Sequence, residues 1–380
     1  MLIIKGADVY APEHLGICDV MVCGGKIEKV EREIPVCYKD CQVIDGSGMR
    51  LTPGIIDQHV HITGGGGEGS FHTQAPATQL SDFIKGGVTT VVGLLGTDGI
   101  TRSVENLLAK VKALREEGMT AYCLTGSYGW PSVTITGDLK KDIVFISEIL
   151  GLKLAISDHR APNISTEELI RAASDVRVAG MISGKPGMLT LHMGDDPRGL
   201  EPVFEALERT SIPIKTFRPT HVTRNWELYE QALRFAKMGG YIDITCDSGP
   251  YKEVAEGLRR AEKAEVDPTR ITISSDGQGS WSEYDEAGNL LAIGVSSVAA
   301  VYRQIVDLVQ NEGMEFEKVL KFGTLNPAEA LELSNKGRIC PGADGDLLLM
   351  KQEELSLDTV ISMGRIMMRN GEILVKGTYE

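Results

Sequence analysis

The sequence has no apolar run close to the roughly 18 residues of a membrane-spanning helix. The first residues, MLIIKGADVY, lack a basic stretch followed by a long apolar region and a cleavage site, so we expect no signal peptide. An excess of basic charge is also missing, because the formal net charge is −14, which disfavours nucleic acid as a partner. With 42% hydrophobic and 24% charged residues, the chain of 380 residues is predicted to be a soluble globular protein.

Cysteines are few, odd in number and scattered. The seven cysteines fit reduced thiols in a cytoplasmic protein rather than a disulfide framework. Cys37 and Cys41 lie close together in CYKDC, but the sequence has no second pair that would complete a zinc site. We therefore expect a cytoplasmic protein in which these cysteines do not bind a metal.

Both ends of the chain are rich in β-forming residues. The N-terminal segments LIIKGADVY, CDVMVCGGKIEKV and CQVIDGSGMRLT cluster such residues around glycine turns. The C-terminal segments are DGDLLLMK and TVISMGRIMMRNGEILVKG, in which the Asn370-Gly371 pair suits a hairpin turn. We expect one small β-sandwich domain formed by both termini, from residues 1–52 and 338–380.

The middle of the chain alternates apolar runs with helical patterns. The eight runs are GIIDQHVH, TTVVGLLGT, TAYCLTGSY, LKLAISDH, MLTLHMG, IPIKTFRPTHV, YIDITCD and ITISSDGQG. Continuous apolar runs are typical of strands buried on both faces, and several helical patterns end at glycine. Eight such units fit a (β/α)8 barrel of the TIM type, usually roughly 250 residues long, which we assign to residues 53–337. In the fourth unit, KKDIVFISEILGLKLAISDH, the boundary between helix and strand stays open.

Four of the seven histidines fall at predicted strand ends, where such barrels carry their active sites. His59 and His61 alternate by two, so both point to the same side of the first strand. His192 lies in LTLHMG and His221 in RPTHV, on the fifth and sixth strands. Each one alone fits a hydrogen-bonded core histidine, but the set predicts a metal site, because imidazole is a good zinc ligand.

Asp276 and Lys153 bear on the same site. Asp276, in ISSDGQGS, has the ordinary use of an Asp-Gly pair in a turn, but beside four histidines a fifth ligand or a general base is favoured. Lys153 lies in the apolar run GLKLAI, where an unpaired ammonium is costly and cannot ligate a cation. Either Lys153 snorkels to the surface, or carbon dioxide converts it to a carbamate that bridges two metals.

Two other chemistries lack their motifs. Ser127 raises the possibility of a serine nucleophile, but the sequence has no GxSxG elbow. The run GGGGE is similar to a phosphate-binding loop but lacks the GK[ST] ending.

The segment TPGIIDQHVH, the lysine near strand four, the single histidines on strands five and six and the aspartate on strand eight resemble the amidohydrolase superfamily. Within it, GGGGE and TGSYG narrow the resemblance to the isoaspartyl (β-aspartyl) dipeptidases, and the similarity runs through essentially the whole chain. The resemblance implies a metallopeptidase that hydrolyses β-aspartyl dipeptides by attack of a metal-bridging hydroxide on the side-chain-linked amide.

The resemblance also implies a cofactor of two zinc ions per chain, bridged by hydroxide and by carbamylated Lys153 (N6-carboxylysine). The implied ligands besides Lys153 are His59, His61 and Asp276 for one ion and His192 and His221 for the other. Asp276 would take the proton of the hydroxide and pass it to the leaving amine. Tyr128 would donate a hydrogen bond to the oxyanion.

An isoaspartyl dipeptide keeps a free α-amino group and a free α-carboxylate beside the scissile bond. In the resemblance, Glu68 binds the amine, and Arg160 and Arg224 bind the carboxylate, helped by the Thr97 hydroxyl. Arginine suits this because its planar fork grips a carboxylate with two bonds, although each arginine taken singly also fits a surface ion pair. Ser280 would contact the second residue of the dipeptide.

Two alternatives remain open at this point. A cyclic-amide hydrolase of the hydantoinase or dihydroorotase kind shares the metal site but needs no residue such as Glu68 to bind a free amine. A non-catalytic scaffold typically loses metal ligands, whereas all six candidates are present here. The expected partner is a small dipeptide substrate, with no nucleic acid and no membrane, and the resemblance suggests a large homo-oligomer such as an octamer.

Overall fold

The computed structural model describes residues 1–37, 39–246, 252–285 and 287–380 of the chain. The central strands are β6 (Ile55–Val60), β7 (Val88–Gly93), β8 (Thr120–Gly126), β9 (Ile149–Ile156), β10 (Met188–Met193), β11 (Phe217–Thr220), β12 (Ile242–Thr245) and β13 (Ile271–Ser274). Within the described residues they form one eight-stranded parallel sheet in sequential order. The sheet curls back on itself, because Val60 bridges to Gly277 and the backbone N–H of His61 donates to the Gly277 carbonyl at 2.8 Å. The predicted (β/α)8 barrel is therefore confirmed.

Helices surround this barrel. They are α1 (Leu80–Lys85), α2 (Val104–Glu116), α3 (Leu139–Phe145), α4 (Thr166–Ser183), α5 (Glu201–Arg209), α6 (Trp226–Lys237), α7 (Lys252–Lys263), α8 (Ala300–Gln310), α9 (Phe316–Gly323) and α10 (Leu325–Ala330). Their apolar faces join the outer faces of the strands in one large core. In the described part of the chain, none of the helices combines the length and the apolar character that crossing a bilayer requires.

Local sequence explains where these elements begin and end. Helix α4 begins after Ser165, whose hydroxyl accepts from the Glu168 backbone N–H while the Glu168 carboxylate accepts from the Ser165 N–H at 2.8 Å. It ends at Gly184, which adopts φ 65° in the left-handed region that glycine tolerates. In the fourth unit, α3 ends at Phe145 and β9 starts at Ile149, so the segment is a helix followed by a strand.

The two ends of the chain meet in a second sheet. Its strands are β1 (Leu2–Tyr10), β2 (His14–Cys23), β3 (Lys26–Glu31), β4 (Gln42–Asp45), β5 (Met49–Pro53), β16 (Leu347–Lys351), β17 (Leu357–Ser362), β18 (Arg365–Arg369) and β19 (Glu372–Ile373). β5 pairs antiparallel with β16, which joins the termini in one nine-stranded sheet within the described residues. The predicted Asn370-Gly371 turn links β18 to β19, with φ of 53° and 76°.

This terminal sheet is held against the barrel by alternation along its strands. In β16, Leu347 and Leu349 belong to a separate small core, whereas Leu348 and Met350 pack into the barrel core. Because successive side chains of a strand point to opposite faces, one face of the sheet packs against the barrel and the other covers the small core. The predicted domain boundaries at residues 52/53 and 337/338 stay a prediction.

An antiparallel hairpin follows β13 and was not predicted from the sequence. It consists of β14 (Ser280–Tyr284) and β15 (Leu290–Val295). Backbone bonds from Gln278 to Ser296 at 2.8 Å and from Ser296 to Gly279 at 2.9 Å fix its base beside the end of β13. The hairpin therefore carries Ser280 over the barrel end where β13 finishes.

Candidate active site

His59 and His61 leave the C-terminal end of β6 together and converge on Asp276. Their Nε2 atoms lie 3.4 Å and 3.1 Å from the Asp276 Oδ1 atom, and both rings are buried. Two ligands of a tetrahedral zinc ion, each at ~2.0–2.1 Å, lie about 3.3–3.4 Å apart, so the distance of each histidine from Asp276 is one that two zinc ligands can have. The Nδ1 atom of His61 is buried without a hydrogen-bond partner among the described residues.

His192 and His221 approach from the other side of the barrel mouth. His192 lies in β10, and His221 follows β11 with φ 61°. The His221 ring centroid lies 4.6 Å from that of His192 and 4.9 Å from that of His59. The possible metal-ligand atoms of His59, His221 and Asp276 all lie within 4.8 Å of one another, a spacing that suits a metal ion.

The electrostatic state of these histidines suits metal binding. Burial lowers the pKa of His59, His192 and His221 well below the usual 6.5, and the repulsion of neighbouring cationic groups adds to this effect. A metal requires the neutral imidazole, which is therefore the form that the fold already favours near neutral pH. The Nδ1 atom of His221 lies 2.7 Å from the Thr245 hydroxyl, which orients that ring.

Lys153 points into the same cluster from the middle of β9. Its side chain is 0% exposed, so the alternative that it snorkels to the surface is wrong. Burial lowers the pKa of the Lys153 amine to about 7, and its Nζ atom lies 3.1 Å from the His59 Nε2 atom. A neutral amine is the form that reacts with carbon dioxide, so the environment of Lys153 favours the predicted carbamate.

Tyr128 stands beside the second pair of histidines. Its hydroxyl lies 2.6 Å from the His192 Nδ1 atom, and the rings of the two residues are 4.2 Å apart. Burial raises the pKa of the Tyr128 phenol, so the hydroxyl stays protonated and able to donate a hydrogen bond. This is the property that the predicted oxyanion contact requires.

The predicted amine-binding and carboxylate-binding residues are also neighbours. Ser280 donates to the two Glu68 oxygens at 2.9 and 2.8 Å, and the Thr97 hydroxyl donates to Oε1 at 3.2 Å. The Arg160 guanidinium lies 3.5 Å from the same carboxylate, whose side chain is only 7% exposed. The Arg224 guanidinium lies 3.4 Å from the carboxylate of Asp158. Ser280 and Thr97 therefore support Glu68 directly.

Asp158 is the residue whose importance the sequence did not reveal. It follows β9 and accepts hydrogen bonds from His192 and from Arg160. Burial disfavours its charged form, but these donors outweigh burial and hold the pKa of the Asp158 carboxyl well below its usual range. Asp158 stands directly after a barrel strand in SDHR, a position typical of active-site residues, but the sequence does not indicate its partners.

The four glycines after His61 make a tightly packed turn. A side chain on Gly64 or Gly66 would overlap the carbonyls of Ala75 and Thr73, and both glycines have φ near 80°. Arg102, which sequence reasoning missed, donates to the carbonyl of Thr63 and to that of Ala75 at 2.8 Å. The turn is therefore fixed in place, and it presents Glu68 at a defined position.

Beneath the histidines lies a layer of buried carboxylates that sequence reasoning also missed. Burial raises the pKa of Asp57 to about 7 and raises that of Asp243 as well. Asp243 accepts from the Thr220 and Ser274 hydroxyls at 2.8 and 2.6 Å and from Gln58 at 2.9 Å. The sequence could have indicated these two residues, because an aspartate within an apolar run such as GIIDQHVH or YIDITCD is unusual for a buried strand.

A cavity of about 240 Å³ lies beside the predicted metal ligands and substrate-binding residues. Its lining includes Arg160, His221, Arg224, Asp276 and Ser280. It thus brings together three of the predicted substrate-binding residues and two of the predicted metal ligands.

Comparison with known proteins agrees with this arrangement. The sequence matches the amidohydrolase family over residues 50–367. A β-aspartyl dipeptidase from the thermophilic, keratin-degrading Fervidobacterium islandicum AW-1, in complex with β-Asp-Leu dipeptide, is 44% identical, with 98% of each chain covered and a TM-score of 0.93. A second structure of that enzyme is 42% identical, with the same coverage of 98% and a TM-score of 0.89. The resemblance predicted from the sequence is confirmed.

More distant relatives have lower sequence identity to this chain. Adenine deaminase 2 of Rhizobium etli is 27% identical over 370 residues, which cover 93% of this chain. This chain spans about half the length of the deaminase, 54%. The fold, the family match over residues 50–367 and the similarity over 98% of the length of the dipeptidase lead to one conclusion. This chain belongs to the amidohydrolase family.

Proposed function

We propose that this protein is a binuclear zinc peptidase that hydrolyses β-aspartyl (isoaspartyl) dipeptides. The observation that carries the proposal is the placement of one anionic group, Glu68, and two cationic groups, Arg160 and Arg224, around a cluster of metal-ligating side chains. A β-aspartyl dipeptide has the complementary charges, an ammonium and a carboxylate, on the carbon next to the methylene that bears the scissile amide. The similarity to the Fervidobacterium enzyme supports the same substrate class.

The residues of the metal cluster are of the kinds that bind zinc, and the described group within 4.8 Å, His59, His221 and Asp276, takes members from both predicted ligand sets. His59, His61 and Asp276 would hold one ion, His192 and His221 would hold the other, and carbamylated Lys153 would bridge them. Imidazole nitrogen and carboxylate oxygen are ordinary zinc ligands. When bound, zinc supplies Lewis acidity for the scissile carbonyl and lowers the pKa of a coordinated water from 15.7 to about 7.

The protein's own residues then handle protons and developing charge. Asp276 accepts the proton of the attacking water and transfers it to the leaving nitrogen, so that aspartate and a free amino acid are released. Tyr128 donates a hydrogen bond from its hydroxyl to the oxygen that becomes negative. Loss of one such donor commonly reduces the rate by ~10²–10³-fold.

The substrate contacts are electrostatic. Glu68 binds the α-ammonium group, and its carboxylate is held in place by Ser280 and Thr97 at 2.8–3.2 Å. Arg160 and Arg224 bind the α-carboxylate. Ser280 and Thr97 keep the further roles predicted from the sequence, contact with the second residue of the dipeptide and with the carboxylate.

The alternative function is hydrolysis of a cyclic amide such as hydantoin. Such a substrate has no free ammonium group for Glu68, so the charge arrangement disfavours it. The test uses zinc-loaded protein with β-Asp-Leu, α-Asp-Leu and hydantoin under identical conditions. We expect hydrolysis of β-Asp-Leu alone; turnover of hydantoin without turnover of β-Asp-Leu would reverse the assignment, and inactivity on all three would favour the scaffold alternative.

We also propose a cytoplasmic homo-oligomer, with an octamer as the specific expectation, and a division into a terminal β domain (1–52 and 338–380) and a barrel (53–337). Light scattering coupled to size-exclusion chromatography measures the number of chains. A monomer in solution would contradict the oligomer.

A further inference from the structure

Asp158 contacts both a predicted metal ligand, His192, and the two arginines predicted to bind the substrate carboxylate. Its Oδ2 atom lies 3.0 Å from the His192 Nε2 atom, 2.9 Å from an Arg160 terminal nitrogen and 3.4 Å from an Arg224 terminal nitrogen. We propose that Asp158 is a positioning residue that selects the metal-facing nitrogen of His192 and holds both arginines for the substrate carboxylate. This inference rests on the function proposed above.

The first step concerns the protonation of His192. An ionised carboxylate only accepts hydrogen bonds, so the ring must carry its proton on Nε2 to bond Asp158 at 3.0 Å. The Arg160 Nη2 atom lies 3.3 Å from the same Nε2 atom, but it already donates to Asp158 at the shorter distance of 2.9 Å, which favours the proton on Nε2. The lone pair of the neutral ring is then on Nδ1, the atom that lies 2.6 Å from the Tyr128 hydroxyl. Metal-ligating histidines almost always donate their other N–H to a carboxylate or a carbonyl. Asp158 would therefore leave Nδ1 as the atom of His192 that is available to a metal.

The second step follows from the single lone pair on Nδ1. It cannot serve both the Tyr128 hydroxyl and a metal ion. With Nδ1 held by a metal, the Tyr128 hydroxyl would keep its proton and would be free to donate it in a hydrogen bond to a substrate oxygen. Asp158 thus links the loading of the site to the availability of Tyr128.

The third step concerns the arginines. Arg160 meets Asp158 through two parallel contacts, Nε to Oδ1 and Nη2 to Oδ2, each at 2.9 Å. The Oδ1 atom also accepts the Arg160 backbone N–H at 2.8 Å, which fixes the start of that side chain. Bidentate pairs of this kind add geometric specificity to their energy. One carboxylate shared by two guanidinium groups leaves one formal positive charge for the substrate carboxylate.

The chain makes room for Asp158 in a specific way. Gly194 follows β10, and a Cβ atom at that position would overlap the Asp158 side chain and Cα atom. Only glycine lets the carboxylate reach the His192 ring. Gly194 therefore offers a second perturbation of the same contact that leaves the charge of Asp158 intact.

The test compares Asp158→Asn with Asp175→Asn, the same chemical change at a partly exposed residue of α4 whose partner is Lys140 at 3.1 Å. In Asp158→Asn the amide oxygen can keep the backbone contact, but the new NH₂ group then faces the donors of His192 and both arginines. The ring must reverse its protonation to satisfy that group, which removes the Nδ1 lone pair. We expect an affinity for zinc that is weaker by roughly 10–100-fold, the range typical of lost outer partners.

Zinc affinity is measured by competition with a chelator, without reference to activity. At saturating zinc, the KM for β-Asp-Leu should rise by a larger factor than kcat falls, because the arginines bind a carboxylate already present in the ground state. Gly194→Ala should change both quantities in the same directions, and thermal melting verifies that each variant is folded. Zinc affinity and KM within about twofold of Asp175→Asn would overturn the inference. Wild-type protein that neither binds zinc nor hydrolyses β-Asp-Leu would instead overturn the proposed function.

Discussion

Replacement of Glu68 by glutamine keeps the shape of the side chain but removes one negative charge, and with it the ion pair with Arg160 at 3.5 Å. The side chain is 7% exposed and is contacted by the hydroxyls of Ser280 and Thr97, which can still donate to the remaining amide oxygen. The variant should therefore fold as the wild type does. Its substrate, however, loses the anion that its ammonium group requires.

The size of the effect follows from the kind of bond that is lost. Hydrogen bonds to charged groups contribute about 1.5–3 kcal/mol, and about 1.4 kcal/mol corresponds to a factor of ten. We therefore expect Glu68→Gln to lower kcat/KM for β-Asp-Leu by about 10- to 150-fold. Glu208→Gln, at an exposed position of α5, makes the same chemical change away from the site and should leave kcat/KM unchanged.

A second substrate makes the assay specific for the amine. N-succinyl-leucine is β-Asp-Leu without its α-amino group, and it keeps the carboxylate and the scissile amide. The wild type should strongly prefer β-Asp-Leu, because N-succinyl-leucine has no ammonium group to pair with the Glu68 carboxylate. In Glu68→Gln the preference should largely disappear. A parallel loss on both substrates would refute the reasoning, since Glu68 would then act on catalysis in general and not on the ammonium group.

Zinc, Lys153 and pH provide three further predictions. Metal analysis should find up to two zinc equivalents per chain, and a metal-free preparation that is fully active would contradict the mechanism. Lys153→Ala should lose zinc and activity, with partial rescue by short carboxylic acids; a zinc-replete, active variant would exclude the carbamate. Because the histidine pKa values are held below 6.5, the unfolded chain binds protons that the folded chain does not. The melting temperature of chelator-treated protein should therefore fall as the pH drops below about 6.5, and the substitution His192→Asn should weaken this dependence; a melting temperature that does not change with pH would contradict the burial argument.

The sequence was sufficient for the barrel and for the ends of its strands. His59 and His61 are two residues apart, and the side on which they point follows from the pleat of a strand alone. The partners of Glu68 are of another kind, because Ser280 lies 212 residues away and reaches it on a hairpin that the sequence did not predict. Asp158 was visible as a strand-end residue, but its contact with His192 depends on the space that Gly194 leaves. Contacts made between loops depend on where the whole barrel brings those loops, which local patterns do not specify.

The ion pairs of the site suggest why it is selective. Arg160 lies between two carboxylates, at 2.9 Å from Asp158 and at 3.5 Å from Glu68. The charged groups of the site are therefore already paired with one another before a substrate binds. The ammonium and carboxylate of a zwitterionic substrate replace some of these partners and do not simply add new ion pairs. Such an exchange contributes little net affinity, since each partner must give up a hydrogen-bonded neighbour. A substrate that carries only one of the two charges displaces one of these contacts without giving the displaced group a new partner, which costs about 1–3 kcal/mol or more. The arrangement therefore discriminates against wrong ligands more strongly than it binds the right one.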